Sequence, residues 1–221
     1  MSSEALIGCR NIEKSYGKLK VLNGISLVVQ QGEIVSITGE SGAGKSTLLH
    51  ILGTLDHADS GTLFYQETDL LKLRGNKMAD FRNRNFGFVF QFHQLLPEFS
   101  ALENVCLPAW IAGKGRSEAE KRALELLTLL GLKDRADHKP GQLSGGEQQR
   151  TAVARALMNN PGVVFADEPS GNLDSKNAQS LHEYFLKLRT ELGQTFIIVT
   201  HNVELAGMAD RNLKMKDGQL A

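Results

Sequence analysis

The chain has 221 residues, 41% of them hydrophobic and 23% charged, enough for one substantial core and no more than one or two domains. Its 25 Lys and Arg balance 25 Asp and Glu, so the basic excess of a nucleic-acid binder is missing and no nucleic-acid partner is expected. Cys9 and Cys106 stand far apart with no CxxC spacing, as expected of reduced thiols in a cytosolic compartment.

The N-terminal MSSEALIGCR has no basic region followed by a long apolar stretch. The longest apolar runs fall far short of the ~20 residues of a membrane helix. A chain soluble by itself, reaching a membrane only through a partner, is expected. Apolar stretches at 5–12 and 25–30, punctuated by Gly24 and Gly32, predict two opening strands. Residues 33–38 (EIVSIT) predict a strand that runs straight into a glycine-rich loop, and 46–55 (STLLHILGTL) a packed helix after it.

That loop, 39–46, is GESGAGKS, with Gly39, Gly44, Lys45 and Ser46 in P-loop register. Its glycines let backbone N–H groups converge on phosphate oxygens, and the helix adds its positive N-terminal end. Lys45 can reach the β- and γ-phosphates, and Ser46 can ligate magnesium. The stretch from Gly39 through Glu40, Ser41, Gly42, Ala43, Gly44, Lys45 and Ser46 to Thr47 is the expected phosphate cradle.

Residues 61–65 and 86–90 predict further strands. From 101 to 132 the pattern turns helical, with apolar residues at i, i+3, i+4 and i+7 in EAEKRALELLTLLGL, broken by Pro97, Pro108, Gly113 and Gly115. A helical insert over about 92–160 is expected. Within it, LSGGEQQR (143–150) has Ser144 as a good N-cap and Glu147 three residues on, as in a capping box. This is either simply a well-capped helix or, because Gly145 and Gly146 expose backbone donors, a second anion site. Since the first loop already holds the phosphates of its own subunit, such a site would serve a partner's nucleotide.

The almost wholly apolar runs 163–167 (VVFAD) and 196–200 (FIIVT) predict buried parallel strands, with a helix at about 175–191 between them. Asp167 and Glu168 end the first of these strands, where open α/β sheets bind ligands. Burying unpaired acids is costly, so Asp167 in a magnesium shell and Glu168 positioning an attacking water is one account. A structural acid pair neutralised by nearby Lys or Arg is the other. His201 closes the next strand and could lie beside the same site, in contact with the γ-phosphate.

The ordered set GESGAGKS, Gln91, LSGGEQQR, VVFADE, NLD (172–174) and His201 resembles the nucleotide-binding subunit of ABC transporters over most of the chain. The resemblance implies an α/β P-loop NTPase core with an N-terminal antiparallel β-subdomain and an inserted α-helical subdomain. The whole chain, 1–221, would be one nucleotide-binding domain, with its core at about 1–91 and 161–221 and its helical part at about 92–160. It implies ATP and Mg2+ as ligands, Tyr16 stacking on adenine, and Gln91 sensing magnesium and water. It further implies Ser144, Gly145, Gly146 and Glu147 acting on a partner's ATP in a nucleotide-dependent homodimer, with Asp174 linking the two sites.

Finer matches (98–113, SGNLD at 170–174 and 209–220) resemble the ATPase subunits of lipoprotein-releasing systems and the related macrolide-export and cell-division ATPases. Ser170 stands where Thr is more usual. The resemblance implies an ATPase peripheral to the cytoplasmic side of the inner membrane, contacting integral membrane subunits near residues 91–110. Leu102, Val105 and Leu107 in that stretch could serve either contact or core. ABC-type ATPases of DNA repair or ribosomes usually carry coiled-coil insertions, tandem cassettes or strongly basic surfaces, which this sequence does not have.

Overall fold

The computed structural model describes residues 5–221. Two sheets face each other. The first is four-stranded and antiparallel, in the order β2-β1-β4-β5, from β1 (Ala5–Tyr16), β2 (Leu19–Gln30), β4 (Ser60–Tyr65) and the short β5 (Thr68–Asp69). The second has six strands in the order β10-β9-β3-β8-β7-β6. Its β3 (Ile34–Gly39), β6 (Phe86–Phe90), β7 (Val163–Asp167), β8 (Thr195–Val199) and β9 (Arg211–Lys216) are parallel, and β10 (Gln219–Leu220) pairs antiparallel at the edge.

Side chains alternate across a strand, so a strand covered on both faces must be apolar throughout. Val35, Ile37, Val163, Phe165, Ile197 and Val199 enter one core, shared with the antiparallel sheet and α1 (Lys45–Leu52). The alternating Ile34, Val164, Ala166, Phe196 and Ile198 enter a second. That second core lies beneath α3 (Ala101–Ile111), α4 (Arg116–Leu129), α5 (Gly145–Leu157) and α6 (Ser175–Leu192). Two further helices are α2 (Gly75–Asn85) and α7 (Val203–Gly207).

Several elements differ from the sequence expectation. The first two strands run 12 residues each rather than stopping at 12 or starting at 25. Register shifts at Cys9/Ile12, Ile12/Glu13 and Lys14/Ser15 interrupt the alternation that would have announced their full length. Helix α2 buries only Met78, so it has no apolar stripe to detect. Strands β9 and β10 extend the sheet beyond β8, although β9 is mostly exposed and polar.

Pro108 does not break the helical segment but lies inside α3. Proline removes one intrahelical donor, yet burial of Val105, Cys106 and Ala109 and a Ser100–Glu103 capping box hold the helix through it. The Pro108 carbonyl still accepts from Ala112 N at 3.1 Å and from Asn159 Nδ2 at 3.0 Å. Gly113 and Gly115 do separate α3 from α4.

Candidate active site

Sheet register brings the acids to the phosphate loop. Val199 pairs with both Ile37 and Asp167, and Asp167 pairs with Phe90, so one row crosses β3, β8, β7 and β6. The residues just past that row at the carboxyl edge are Gly39, Gln91, Glu168 and His201. This is the edge at which open α/β sheets bind ligands.

The loop from Gly39 turns into α1 at Gly44, whose φ of 96° is left-handed; a Cβ there would lie 2.8 Å from the Val21 carbonyl oxygen. Only glycine fits both conditions. Lys45 Nζ folds back over the loop and donates to the carbonyls of Gly39 and Glu40, each at 2.9 Å. An ammonium has three donors, so one remains for an anion above the loop. A cavity of about 370 Å3 opens there, lined by Ser41, Gly42, Lys45, Ser46, Thr47 and Glu168. The first glycine loop and the second acid therefore share one cavity.

Ser46 Oγ donates to Asp167 Oδ1 at 3.0 Å. His50, one turn further along α1, places Nε2 3.6 Å from Asp167 Oδ2. Burial pushes the Asp167 carboxyl above its ordinary value, and the Ser46 hydroxyl and His50 only partly oppose it. A hydroxyl and a carboxylate side by side are hard oxygen donors that leave positions open for phosphate and water, and so fit magnesium. Among the described residues, no cluster of three or more His, Cys, Asp or Glu forms an all-protein metal cage.

Glu168 leaves β7 with φ 45°, a conformation rare for a residue with a side chain. Its N–H donates to the Val199 carbonyl at 2.9 Å. Its Oε2 lies 2.9 Å from His201 Nδ1 and accepts from His201 N at 3.2 Å. The ring of His201 stays exposed while Glu168 is largely covered, so the pair is anchored at the acid and open at the imidazole.

The other expected site residues sit in networks of their own. Gln91 Nε2 donates to Asn172 Oδ1 at 3.0 Å, and Asn172 Nδ2 donates to the Gln91 carbonyl at 3.2 Å. Asp174 caps α6, accepting from Asn177 N at 2.9 Å and Asn177 Nδ2 at 2.7 Å. Tyr16 is half exposed, with its hydroxyl on Asp56.

At the tip of α5 the capping box forms as expected. Glu147 N donates to Ser144 Oγ at 3.3 Å, and Glu147 Oε2 accepts from Ser144 N at 2.8 Å. The backbone N–H of Ser144 and then the guanidinium of Arg135 hold the Glu147 carboxyl down at about 2. Gly145 is exposed and open. Gly146 has a packing reason instead: a Cβ there would fall 2.4 Å from Asn177 Oδ1. His50 and Asp56 were not anticipated from the sequence, nor was the contact of Asn172 with Gln91. His50 alone left a signal, four residues beyond Ser46 on one helix face.

A glycine loop at the carboxyl edge of a parallel sheet, packed against an antiparallel sheet and topped by helices, is the build of a cassette ATPase. The family model described as ABC transporter matches residues 22–171, and the chain belongs to that family. The lipoprotein-releasing system ATP-binding protein LolD of Porphyromonas gingivalis is 59% identical over 97% of this chain and 98% of its own length. That of Cytophaga hutchinsonii is 55% identical over 97% and 98%. Among solved structures, the dimeric bacterial ABC transporter cassette MJ0796 superposes with a TM-score of 0.89 at 41% identity, covering 97% of this chain and 96% of that one. The same cassette in a post-hydrolysis dimer bound to ADP and Pi gives 0.89 at 40% identity over the same shares.

Proposed function

We propose that this chain is the ATP-hydrolysing subunit of a lipoprotein-releasing transporter, held peripherally at the cytoplasmic face of the inner membrane by integral membrane subunits. The observation that carries the cargo is the 59% identity to a lipoprotein-releasing system ATP-binding protein across 97% of the chain. ATP is the substrate, with its phosphates along Gly39 to Thr47 and its adenine on Tyr16. Ser46, Asp167 and Gln91 would hold magnesium, which would neutralise charge on the phosphate oxygens.

Glu168 orients the attacking water and accepts its proton. His201, with Nδ1 against Glu168, reaches a γ-phosphate oxygen through its exposed ring. Two copies close over two nucleotides, and Ser144, Gly145, Gly146 and Glu147 of each face the ATP held by the other. Asp174, at the start of α6, links the two sites. The dimeric assembly of the similar cassette supports this pairing. Closure driven by ATP and reversed by hydrolysis supplies the work on the membrane subunits.

Those subunits dock in an apolar groove of about 470 Å3 between α2, β6 and α3, lined by Phe88, Leu96, Leu107 and Ile111. Phe92 is 71% exposed and Ile111 74%, large apolar surfaces left for a partner in and beside the expected 91–110 stretch. Val105 belongs to the core, Leu102 packs against it, and Leu107 lines the groove. The test is reconstitution of the chain with its co-purifying membrane proteins in lipoprotein-loaded proteoliposomes. ATP-dependent release of lipoprotein is expected. ATP turnover that expels a macrolide but leaves lipoprotein embedded would contradict the reading.

A further inference from the structure

The end of β1 carries a network of which the reaction described so far uses only Tyr16. Tyr16 Oη donates to Asp56 Oδ2 at 2.5 Å. Lys14 Nζ donates to Asp56 Oδ1 at 3.0 Å and to the His57 carbonyl at 2.6 Å. The same ammonium lies over the Tyr16 ring, 5.0 Å from its centroid. Lys14 is only 8% exposed, unusual for a lysine, and Asp56 compensates its burial. The chain around Asp56 is itself pinned to β1, since Ser15 N donates to Asp59 Oδ2 at 2.7 Å and Asp59 N to the Glu13 carbonyl at 2.9 Å.

Titration agrees with a pre-formed network. Burial pushes the Asp56 carboxyl up, yet the Tyr16 and Lys14 hydrogen bonds outweigh it and leave the group below its ordinary value. The hydrogen bond to Asp56, then burial, raises the Tyr16 phenol.

An exposed tyrosine on a strand end would otherwise rotate among staggered rotamers. Here its hydroxyl is fixed by a carboxylate and one face is covered by a cation, while the ring stays 51% exposed. We infer that Asp56, with Lys14, is a positioning device that locks the Tyr16 ring with a single free face for a purine base. The lock lowers the ordering cost of stacking, which is how pre-organisation raises affinity. The inference rests on Tyr16 being the adenine platform, and two ligands separate the two claims.

Equilibrium binding of ATP and of inorganic tripolyphosphate, which has no base, is measured on the purified full chain, four single variants and one double variant. Tyr16→Ala should weaken ATP about fivefold or more, the worth of a base–aromatic stack, and leave tripolyphosphate unchanged. Asp56→Ala should weaken ATP about threefold or more, again without affecting tripolyphosphate, and should add nothing in the Tyr16→Ala background. Asp56→Asn, which keeps the shape, and Tyr16→Phe, which removes only the hydroxyl, should each lose part of that affinity; they carry the test if Asp56→Ala unfolds. Full ATP affinity in Asp56→Ala and Asp56→Asn beside a weakened Tyr16→Ala overturns the lock and spares the platform. Full affinity in Tyr16→Ala overturns both. Equal weakening of ATP and tripolyphosphate in the Asp56 variants also overturns the lock, because the damage then lies in the phosphate cradle.

Discussion

The two glycine-rich turns of this molecule are built in opposite ways. The loop from Gly39 to Ser46 is concave, faces a cavity of about 370 Å3, and leaves one Lys45 donor unspent. The Ser144–Gly146 turn is a tip whose polar side chains satisfy each other: Ser144 and Glu147 close a capping box, Arg135 neutralises Glu147, and Gly146 is pressed against Asn177. The first is a cavity lined from within one chain. The second offers to something outside only exposed backbone and a serine hydroxyl now engaged with Glu147, which supports a role on the nucleotide of another copy.

The sharpest way to break that contrast is at Glu168, the acid proposed to position the attacking water. Glu168→Gln should retain ATP binding, slow hydrolysis at least ~100-fold and accumulate an ATP-bound dimer. Turnover at the normal rate would remove Glu168 from the mechanism. Next is a bulky residue at the open Gly145, such as Gly145→Trp. ATP affinity of the monomer should stay intact while turnover is abolished, because on the proposed pairing the substituted tip touches no nucleotide of its own chain. A loss of monomer affinity would merge the two turns into one site.

Smaller effects come from their acids. Burial raises Asp167, so its ionised form is disfavoured in the fold, and the raised group opposes stability as pH rises past its unfolded value. Asp167→Asn should therefore raise the melting temperature of the nucleotide-free chain at neutral pH by on the order of 2 °C while abolishing hydrolysis. An unchanged or lower melting point would mean that the Ser46 hydrogen bond outweighs desolvation. Glu147 is the opposite case: its carboxyl is held down at about 2, so its stabilisation is present above the unfolded value of 4.5 and fades between there and about 2. Glu147→Gln should flatten the fall in melting temperature over that acid window. An unaltered acid limb would show that the cap adds nothing to stability.

The sequence made the site legible wherever chemistry requires a fixed spacing. The phosphate loop, the acid pair at the end of an apolar strand and the capping box all depend on local order, and all appear at the expected residues. Partners brought together by folding were not legible. Asp56 meets Tyr16 from 40 positions away, Asn172 meets Gln91 from 81, and no periodicity encodes either contact. Elements with no apolar face, such as α2 and β9, were invisible because a pattern argument sees burial and these segments bury little. The long strands β1 and β2 were cut short for another reason, since register shifts interrupt their alternation. Pro108 misled for a different reason, since core packing of α3 outweighs one missing donor.

The most direct measurement is a structure of the Glu168→Gln variant with ATP and magnesium, read for the separation between Ser144 Oγ and the nearest γ-phosphate oxygen. The account predicts a dimer in which that oxygen belongs to the ATP of the other copy and lies within hydrogen-bond reach, about 3 Å. A serine that in every pairing stays many ångströms from any phosphate would contradict it.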